Sequence, residues 1–288
     1  MCDEKLLSEN LPATGVTRRQ LNTAAIAAAV TALTPHSAAA QETVLQDIDI
    51  PTPDGTADCY FAHPQSGTHA GVVIWPDARG MRAAYRFIAE RLAASGYAVL
   101  VVNPYYRGHR GPVLPEGTDP RQGNTMSVLG PLLSQLSAQT ESTDAQAMIE
   151  FLDANSVVAD DRPIGTLGFC LGGPATFRTA AMFPDRVRAG ATFHGVRLVT
   201  DAPDSPHRLV ASINARYLIA IAEDDDANDP TAKDALRQSF ETADLAAEIE
   251  VYEGAMHSWT TPDSPVHHRA QAERAWSRLL QLFESALA

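Results

Sequence analysis

The chain has only three cysteines, Cys2, Cys59 and Cys170, among its 288 residues. Thiols so few and so far apart cannot form a disulfide framework, and no Cys-x-x-Cys pair or His/Cys cluster has the spacing of a zinc site. The sequence therefore argues against a structural metal and against a fold that depends on disulfides.

Basic residues are scarce relative to acidic ones. The chain has 22 Lys and Arg against 35 Asp and Glu, which gives a formal net charge of −13. No basic run or basic amphipathic helix is present to attract phosphate backbones or anionic lipids. We therefore expect no nucleic-acid partner.

Apolar runs are too short to span a bilayer, which takes about 20 helical residues. The alanine-rich stretch Thr23–Leu33 follows the pair Arg18-Arg19 and precedes a run of small residues that ends at Ala40. A charged pair, a short apolar run and small residues, in that order, are typical of a twin-arginine export signal.

The export signal is predicted to occupy residues 1–40, with cleavage after Ala40, and to leave one catalytic domain over residues 41–288. A domain of that size buries a single α/β core. We expect this mature domain to be periplasmic or secreted, monomeric and without stable membrane insertion. The alternative is a flexible N-terminal helix on a cytoplasmic enzyme, because alanine-rich segments also form ordinary helices.

A predicted hairpin opens the mature domain. Val44–Ile50 and Thr56–His63 flank the turn Pro53-Asp54-Gly55 and indicate antiparallel pairing. Later apolar runs show little polar alternation, as strands covered on both faces do. They are Gly71–Trp75, Tyr97–Val102, Ile164–Leu167, Gly190–Phe193, Tyr217–Ala222 and Ala247–Tyr252.

Helical patterns alternate with these runs, at Ala83–Ser95, Thr143–Asn155, Lys233–Ala243 and Pro265–Leu287. A hairpin that leads into a βαβ series predicts the α/β class, with a mostly parallel sheet of about eight strands and helices on both faces. The Gly- and Pro-rich connection Arg107–Leu136 has no strand pattern, and a connection of that length often covers an active site.

The segment Gly168-Phe169-Cys170-Leu171-Gly172-Gly173 lies where a predicted strand must turn into a helix. The nucleophile of such a turn has a strained backbone, so a side chain two residues before or after it would collide with neighbouring backbone. At the N-terminus of the helix, the positive end of the dipole favours a thiolate and a bound oxyanion. The pattern predicts that Cys170 is a nucleophile; the alternative is a small buried residue in a packing turn.

Candidate partners for Cys170 follow it in the order acid, then histidine, that the α/β-hydrolase topology requires. Glu223-Asp224-Asp225-Asp226 follows one predicted strand, and His257 follows the last one. Both lie at the carboxyl edge of the sheet, where the catalytic groups of open α/β sheets collect. Four consecutive acids are also typical of a solvated loop, and a histidine often has no chemical role.

With these residues, the sequence resembles the dienelactone hydrolase family, a cysteine-dependent branch of the α/β-hydrolases, over essentially all of residues 41–288. The resemblance implies an α/β-hydrolase fold and hydrolysis of a lactone or small ester, with Cys170 as nucleophile, Asp225 as acid and His257 as base. Asp225 is preferred to its neighbours because the acid of the family lies three residues after the small residue that matches Ala222. The segments that carry the resemblance are the Cys170 turn, Phe193-His194-Gly195, Ala222-Glu223-Asp224-Asp225, Tyr252-Glu253-Gly254-Ala255-Met256-His257 and Pro262-Asp263-Ser264-Pro265.

Three further positions correspond to family residues that handle the thiol proton or the substrate carboxylate. Asp77, in Asp77-Ala78-Arg79-Gly80, stands where the family has a glutamate that accepts the thiol proton, and its side chain is one methylene shorter. Arg107 matches an arginine that binds the substrate carboxylate, whereas Thr261 replaces a second one. One guanidinium in place of two selects a small anion less strongly, so an ester or lactone other than a dienelactone fits the sequence.

The expected reaction passes through a thioester on Cys170, with the backbone N–H groups of Leu171 and Ala78 as the oxyanion hole. It requires a small ester or lactone substrate and no cofactor or metal. Two alternatives stay open: a fold that has lost catalysis and binds a small molecule, and an envelope sensor in which the Cys170 thiol is oxidised. Neither alternative explains the presence of both Asp225 and His257.

Overall fold

Eight strands form one sheet in the computed structural model, which describes residues 41–118 and 123–288. The export signal predicted over residues 1–40 lies outside the described residues and stays a prediction. The strands are Thr43–Thr52 (β1), Gly55–Pro64 (β2), Gly71–Trp75 (β3), Ala98–Val101 (β4), Ile164–Phe169 (β5), Val187–Phe193 (β6), Arg216–Ala222 (β7) and Ala247–Tyr252 (β8).

The order of the strands across the sheet is β1-β2-β4-β3-β5-β6-β7-β8. The hairpin β1–β2 is antiparallel, with Thr52 opposite Gly55 at the turn, and β2 also pairs antiparallel with β4. All other neighbours are parallel. The predicted hairpin and mostly parallel sheet are therefore confirmed.

Helices cover both faces of the sheet, as predicted. On one face, α1 and α8 contribute Leu92, Leu279 and Phe283 to a core that also contains Leu167 of β5. On the other face, helices α3, α4 and α7 pack against the strands in a second core. The helices are Ala83–Ala94 (α1), Thr125–Leu133 (α2), Ala138–Ala154 (α3), Gly173–Met182 (α4), Pro206–Leu209 (α5), Glu223–Asn228 (α6), Ala232–Thr242 (α7) and Arg269–Ala286 (α8).

Helix ends differ from the predicted ones where capping decides them. Helix α3 begins at Ala138 rather than at Thr143, because Ser137 and Thr140 form a capping box in which each side chain accepts a hydrogen bond from the other residue's backbone N–H. Helix α8 begins at Arg269 rather than at Pro265, and the His268 side chain caps it.

The carboxyl ends of five strands bring the predicted site residues to one edge of the sheet. Strands β3, β5, β6, β7 and β8 run parallel, so the segments that follow them emerge on the same side. Asp77 and Cys170 follow β3 and β5, and Asp225 and His257 follow β7 and β8. His194, which was not predicted as a site residue, follows β6. Within residues 41–118 and 123–288, no helix is long and apolar enough to cross a membrane.

Candidate active site

Cys170 has a left-handed backbone conformation, with φ of 50°, directly after β5. It starts one turn of 3-10 helix that leads into α4. A Cβ atom on Gly168 would lie 2.3 Å from the carbonyl oxygen of Gly172, and one on Gly172 would lie 2.2 Å from the carbonyl oxygen of Trp75. The steric need for glycine on both sides of Cys170 is therefore confirmed, and the thiol is only partly buried.

The two backbone N–H groups predicted to form the oxyanion hole belong to neighbouring segments. The close approach of Gly172 to Trp75 brings the turn after Cys170 against the end of β3, just before Ala78. Neither the Leu171 nor the Ala78 N–H donates a hydrogen bond within the part of the chain that the structure describes. The Ala78 carbonyl accepts a hydrogen bond of 2.7 Å from the Tyr105 hydroxyl, which holds this loop in place.

His257 and Asp225 form a hydrogen-bonded pair. The Nδ1 atom of His257 lies 2.8 and 3.0 Å from the two carboxylate oxygens of Asp225. Because Nδ1 is engaged, Nε2 is the ring nitrogen left for the Cys170 thiol. Burial alone lowers the pKa of His257, but the hydrogen bond to Asp225, the charge of that carboxylate and the nearby Cys170 thiol outweigh burial and raise the pKa to about 10.

The four consecutive acids are not a plain solvated loop, because each has its own partner. They form the short helix α6, in which Glu223 accepts a hydrogen bond from the Gly254 N–H. Asp224 accepts hydrogen bonds from the backbone N–H groups of His257, at 2.8 Å, and of Asp225, at 3.0 Å. Asp226 pairs with Lys233. Asp224 thus ties the two members of the hydrogen-bonded pair together through their backbones.

Asp77 is buried and its carboxylate is fully engaged. Both oxygens accept hydrogen bonds from the Arg82 guanidinium, at 2.8 and 2.9 Å, and one also accepts from the Arg79 N–H. Arg82 and Arg79 both bind Asp263 as well. Burial disfavours the charge on Arg82 and by itself lowers its pKa, but the charge of Asp77 outweighs that effect and raises it. A role for Asp77 as acceptor of the thiol proton stays a prediction.

Arg107 lies between two carboxylates. Its guanidinium donates hydrogen bonds to Asp54, at 2.7 and 2.9 Å, and to the buried Asp144, at 2.6 and 3.1 Å. Its predicted role in binding a substrate carboxylate stays a prediction, and a substrate would have to compete with these acids. Thr261, at the position of the second arginine of the family, is wholly buried and bonds the Ser258 carbonyl.

No group of three or more His, Cys, Asp or Glu side chains in residues 41–118 and 123–288 is arranged to hold a metal ion. The carboxyl edge of the sheet carries the partly buried Cys170 thiol and the His257 imidazole paired with the Asp225 carboxylate. These are the components of nucleophilic acyl transfer.

Comparison with known proteins decides the family. A family model described as the dienelactone hydrolase family matches residues 57–287. The chain belongs to the dienelactone hydrolase family. The predicted resemblance is confirmed, and with it the class of enzyme, a lactone or ester hydrolase.

Other members of the family are similar to this chain in sequence, and several solved structures are similar to it in fold. A carboxymethylenebutenolidase from Rhodococcus opacus is 29% identical over 248 residues, which cover 81% of this chain and 88% of the relative. A dienelactone hydrolase-like promiscuous phosphotriesterase from metagenomic libraries has a TM-score of 0.70 at 22% identity, covering 85% of this chain and 99% of that one. A dienelactone hydrolase from Anabaena variabilis has a TM-score of 0.62 at 14% identity, covering 86% and 100%.

A cleft with a volume of about 590 Å³ opens along Leu171, within the range of small-molecule sites. Leu133, Ser134 and Leu136 from the connection Arg107–Leu136 form part of its wall. The connection therefore borders this cleft, which reaches Leu171 next to Cys170. That it covers the active site stays a prediction.

Several residues at this hydrolase site were not found from the sequence. They are Arg79, Arg82, Asp224, Tyr105 and Asp263. Asp263 lies in one of the segments that carry the family resemblance, and Asp224 adjoins the predicted acid, so both were within reach of the sequence signals. Arg82 gave no such signal, because its partners Asp77 and Asp263 are brought to it only by the fold.

Proposed function

We propose that this chain hydrolyses a lactone or small carboxylic ester through a thioester on Cys170, with His257 as the proton carrier and Asp225 as its partner. The observation that carries the proposal is the engagement of His257 Nδ1 by Asp225, which leaves Nε2 for the thiol at a strained turn. A nucleophile, a base and a group that orients the base form the basic unit of covalent acyl transfer.

In the first half of the reaction, Cys170 gives its proton to His257 and the Sγ thiolate attacks the substrate carbonyl carbon. The electron pair of the carbonyl π bond moves to oxygen, and the N–H groups of Leu171 and Ala78 hold the oxyanion. Each such donor contributes about 3 kcal/mol in the transition state. Collapse breaks the ester C–O bond, and His257 returns its proton to the leaving oxygen.

In the second half, neutral His257 takes a proton from water and the hydroxide attacks the thioester carbonyl. Collapse breaks the C–S bond and restores the Cys170 thiolate beside protonated His257. The products are a carboxylic acid and an alcohol, or a hydroxy acid when the substrate is a lactone. Only water is consumed, so the reaction needs no redox partner.

The experiment compares the full chain with the variants Cys170→Ala, His257→Ala and Asp225→Asn on p-nitrophenyl acetate and a panel of lactones. We expect kcat/KM to fall by at least about 1000-fold without the thiol and by about 100-fold or more without the imidazole. A Cys170 peptide that carries the acyl mass after rapid acid quench would identify the thioester.

Equal, slow rates in the wild-type chain and in all three variants would overturn hydrolysis at this site. Substrate analogues that then still bind, without turnover, would indicate the alternative of a small-molecule binder. Oxidation of Cys170 by peroxide with no turnover of esters would indicate the thiol sensor.

We also propose that Asp77 helps to remove the thiol proton and that Arg107 binds a substrate carboxylate. If Asp77 relays the thiol proton to His257 when substrate arrives, Asp77→Asn should lower kcat while the KM stays the same. If Arg107 binds a substrate carboxylate, Arg107→Met should raise the KM of lactones that carry a carboxylate and leave neutral esters unchanged. An equal change for both substrate types would assign Arg107 to the structural pair with Asp144.

We propose that residues 1–40 direct export of a folded monomer to the periplasm or beyond, with cleavage after Ala40. The test is the N-terminal sequence and cell fraction of the expressed chain beside the Arg18→Lys, Arg19→Lys double variant. Loss of the exported form in that variant is expected. A chain that keeps its N-terminus in the cytoplasm would support the alternative of an N-terminal helix.

A further inference from the structure

His194 lies directly behind the proposed catalytic pair and has no role in the reaction described above. It follows β6 with a left-handed backbone, φ of 43°, and its N–H donates to the Ala220 carbonyl of β7 at 2.8 Å. Its side chain is wholly buried. A left-handed residue other than glycine is strained and persists where the surroundings fix it.

The imidazole of His194 packs edge to face against that of His257. The ring centroids are 4.9 Å apart and the planes meet at 67°. A similar contact with Trp259 has centroids 5.4 Å apart. The Nε2 atom of His194 lies 3.0 Å from the hydroxyl oxygen of Thr260, so the loop that follows His257 holds the His194 ring.

His194 is a neutral aromatic ring at this position. Burial lowers its pKa well below the ordinary value, and the positive charges of His257 and Arg82 lower it further. A neutral ring can lie against a protonated one without repulsion, and edge-to-face packing is the favoured geometry of such pairs. The Nδ1 atom of His194 has no hydrogen-bond partner in the described residues. A buried nitrogen without a hydrogen-bond partner is destabilising, so the His194 ring next to His257 is retained despite that cost.

We propose that His194, held by Thr260, is a positioning residue for His257: it fixes the rotation of the His257 ring so that Nδ1 meets Asp225 while Nε2 faces Cys170. The inference rests on the proposed function. Asp225 restrains one edge of the imidazole but leaves the ring free to rock about that hydrogen bond. The His194 contact removes this freedom, and small errors in the placement of a base are costly in rate.

The experiment measures kcat, KM and the NMR titration of the His257 ring in the full chain and in the variants His194→Ala and His194→Phe. We expect His194→Ala to lower kcat about 30-fold with little change in KM, because the ring loses its orientation but the cleft does not change. His194→Phe keeps an aromatic ring of similar size and should keep kcat within about fivefold of wild type.

The titration separates a positioning role from a purely structural one. In the wild-type chain the pKa of His257 is about 10. In His194→Ala it should fall toward the ordinary value of about 6.5, because the hydrogen bonds that raise it lose their geometry. An unchanged His257 titration, together with equal kcat losses in both His194 variants, would overturn the proposal.

A matched pair of threonine variants provides a milder test if His194→Ala fails to fold. Thr260→Val removes the hydroxyl that binds His194, whereas Thr261→Val removes a neighbouring hydroxyl that binds the Ser258 carbonyl instead. We expect a loss in kcat of about threefold or more in Thr260→Val and a smaller one in Thr261→Val. Equal losses would indicate general loosening of this loop and would overturn the proposal.

Failure of this proposal and failure of the proposed function give different results. If the wild-type chain hydrolyses esters and His194→Ala is equally fast, only the role of His194 is wrong. If the wild-type chain hydrolyses none of the substrates, the proposed function is wrong. The His257 titration then still shows whether His194 orients the ring.

Discussion

Arg82 binds both carboxylate oxygens of Asp77, at 2.8 and 2.9 Å, in a buried pair within the loop that follows β3. Arg82 also binds Asp263, so one guanidinium joins the loop after β3 to the loop that follows His257. Removal of one partner from such a pair leaves an uncompensated charge in the protein interior.

We therefore expect Arg82→Ala to lower the free energy of unfolding by about 3–5 kcal/mol, measured by urea denaturation at neutral pH. The control is Arg237→Ala, which breaks an exposed pair with Asp234 and should cost less than about 1 kcal/mol. Similar losses in both variants would mean that the buried network does not stabilise the loops.

The stability of the folded chain should depend on pH through His257. Its pKa of about 10 in the folded chain lies above the value of about 6.5 in an unfolded one. Protonated His257 therefore stabilises the fold fully below pH 6.5, and this contribution declines as the pH rises from about 6.5 to about 10. The measurement is the difference in unfolding free energy between wild type and His257→Gln across this range. A difference that grows with pH would contradict the expectation.

Gly172 should tolerate no side chain. A Cβ atom there would lie 2.2 Å from the Trp75 carbonyl oxygen, which belongs to a buried strand and has no room to move. Gly172→Ala should therefore abolish hydrolysis and lower the melting temperature. The matched control is Gly130→Ala in helix α2, where a Cβ meets nothing within 4 Å and alanine is the better helix former. Equal behaviour of the two variants would disprove the steric requirement.

Asp224 should matter for rate although it does not contact Cys170. Its carboxylate accepts hydrogen bonds from the backbone N–H groups of Asp225 and His257. Asp224→Ala should therefore loosen the Asp225–His257 pair and lower kcat about 10-fold. Asp226→Ala is the control, because Asp226 pairs with Lys233 away from His257. Comparable kcat values for the two variants would show that the backbone contacts of Asp224 do not orient the pair.

Cys59 and Cys170 should differ in reactivity. Cys59 is wholly buried, and burial raises its pKa to about 12, whereas the Cys170 side chain is partly exposed. In the native chain, iodoacetamide should modify the peptide that carries Cys170 and leave that of Cys59 intact until urea unfolds the protein. Peptide mass spectrometry gives the result. Early modification of Cys59 would mean that its strand opens readily.

The strands could be predicted because their cause is local, and the Cys170 turn because the glycines that its strained backbone needs stand in a short sequence pattern. Strands buried on both faces need continuous apolar runs, and every run chosen on that basis became a strand. The glycines at 168 and 172 are required by backbone contacts within a few residues of Cys170 and with the adjacent strand. The helix starts at Ala138 and Arg269 were missed by four or five residues, since capping side chains rather than apolar spacing set them.

The sequence by itself thus determined the fold class, the family and the residues that reach the carboxyl edge of the sheet. Only the tertiary structure decided what these residues contact. It engages Asp77 with Arg82, encloses Arg107 between two acids and places His194 against His257, 63 positions later in the chain. Such contacts depend on the distances between packed strands and loops, and no short-range pattern encodes them.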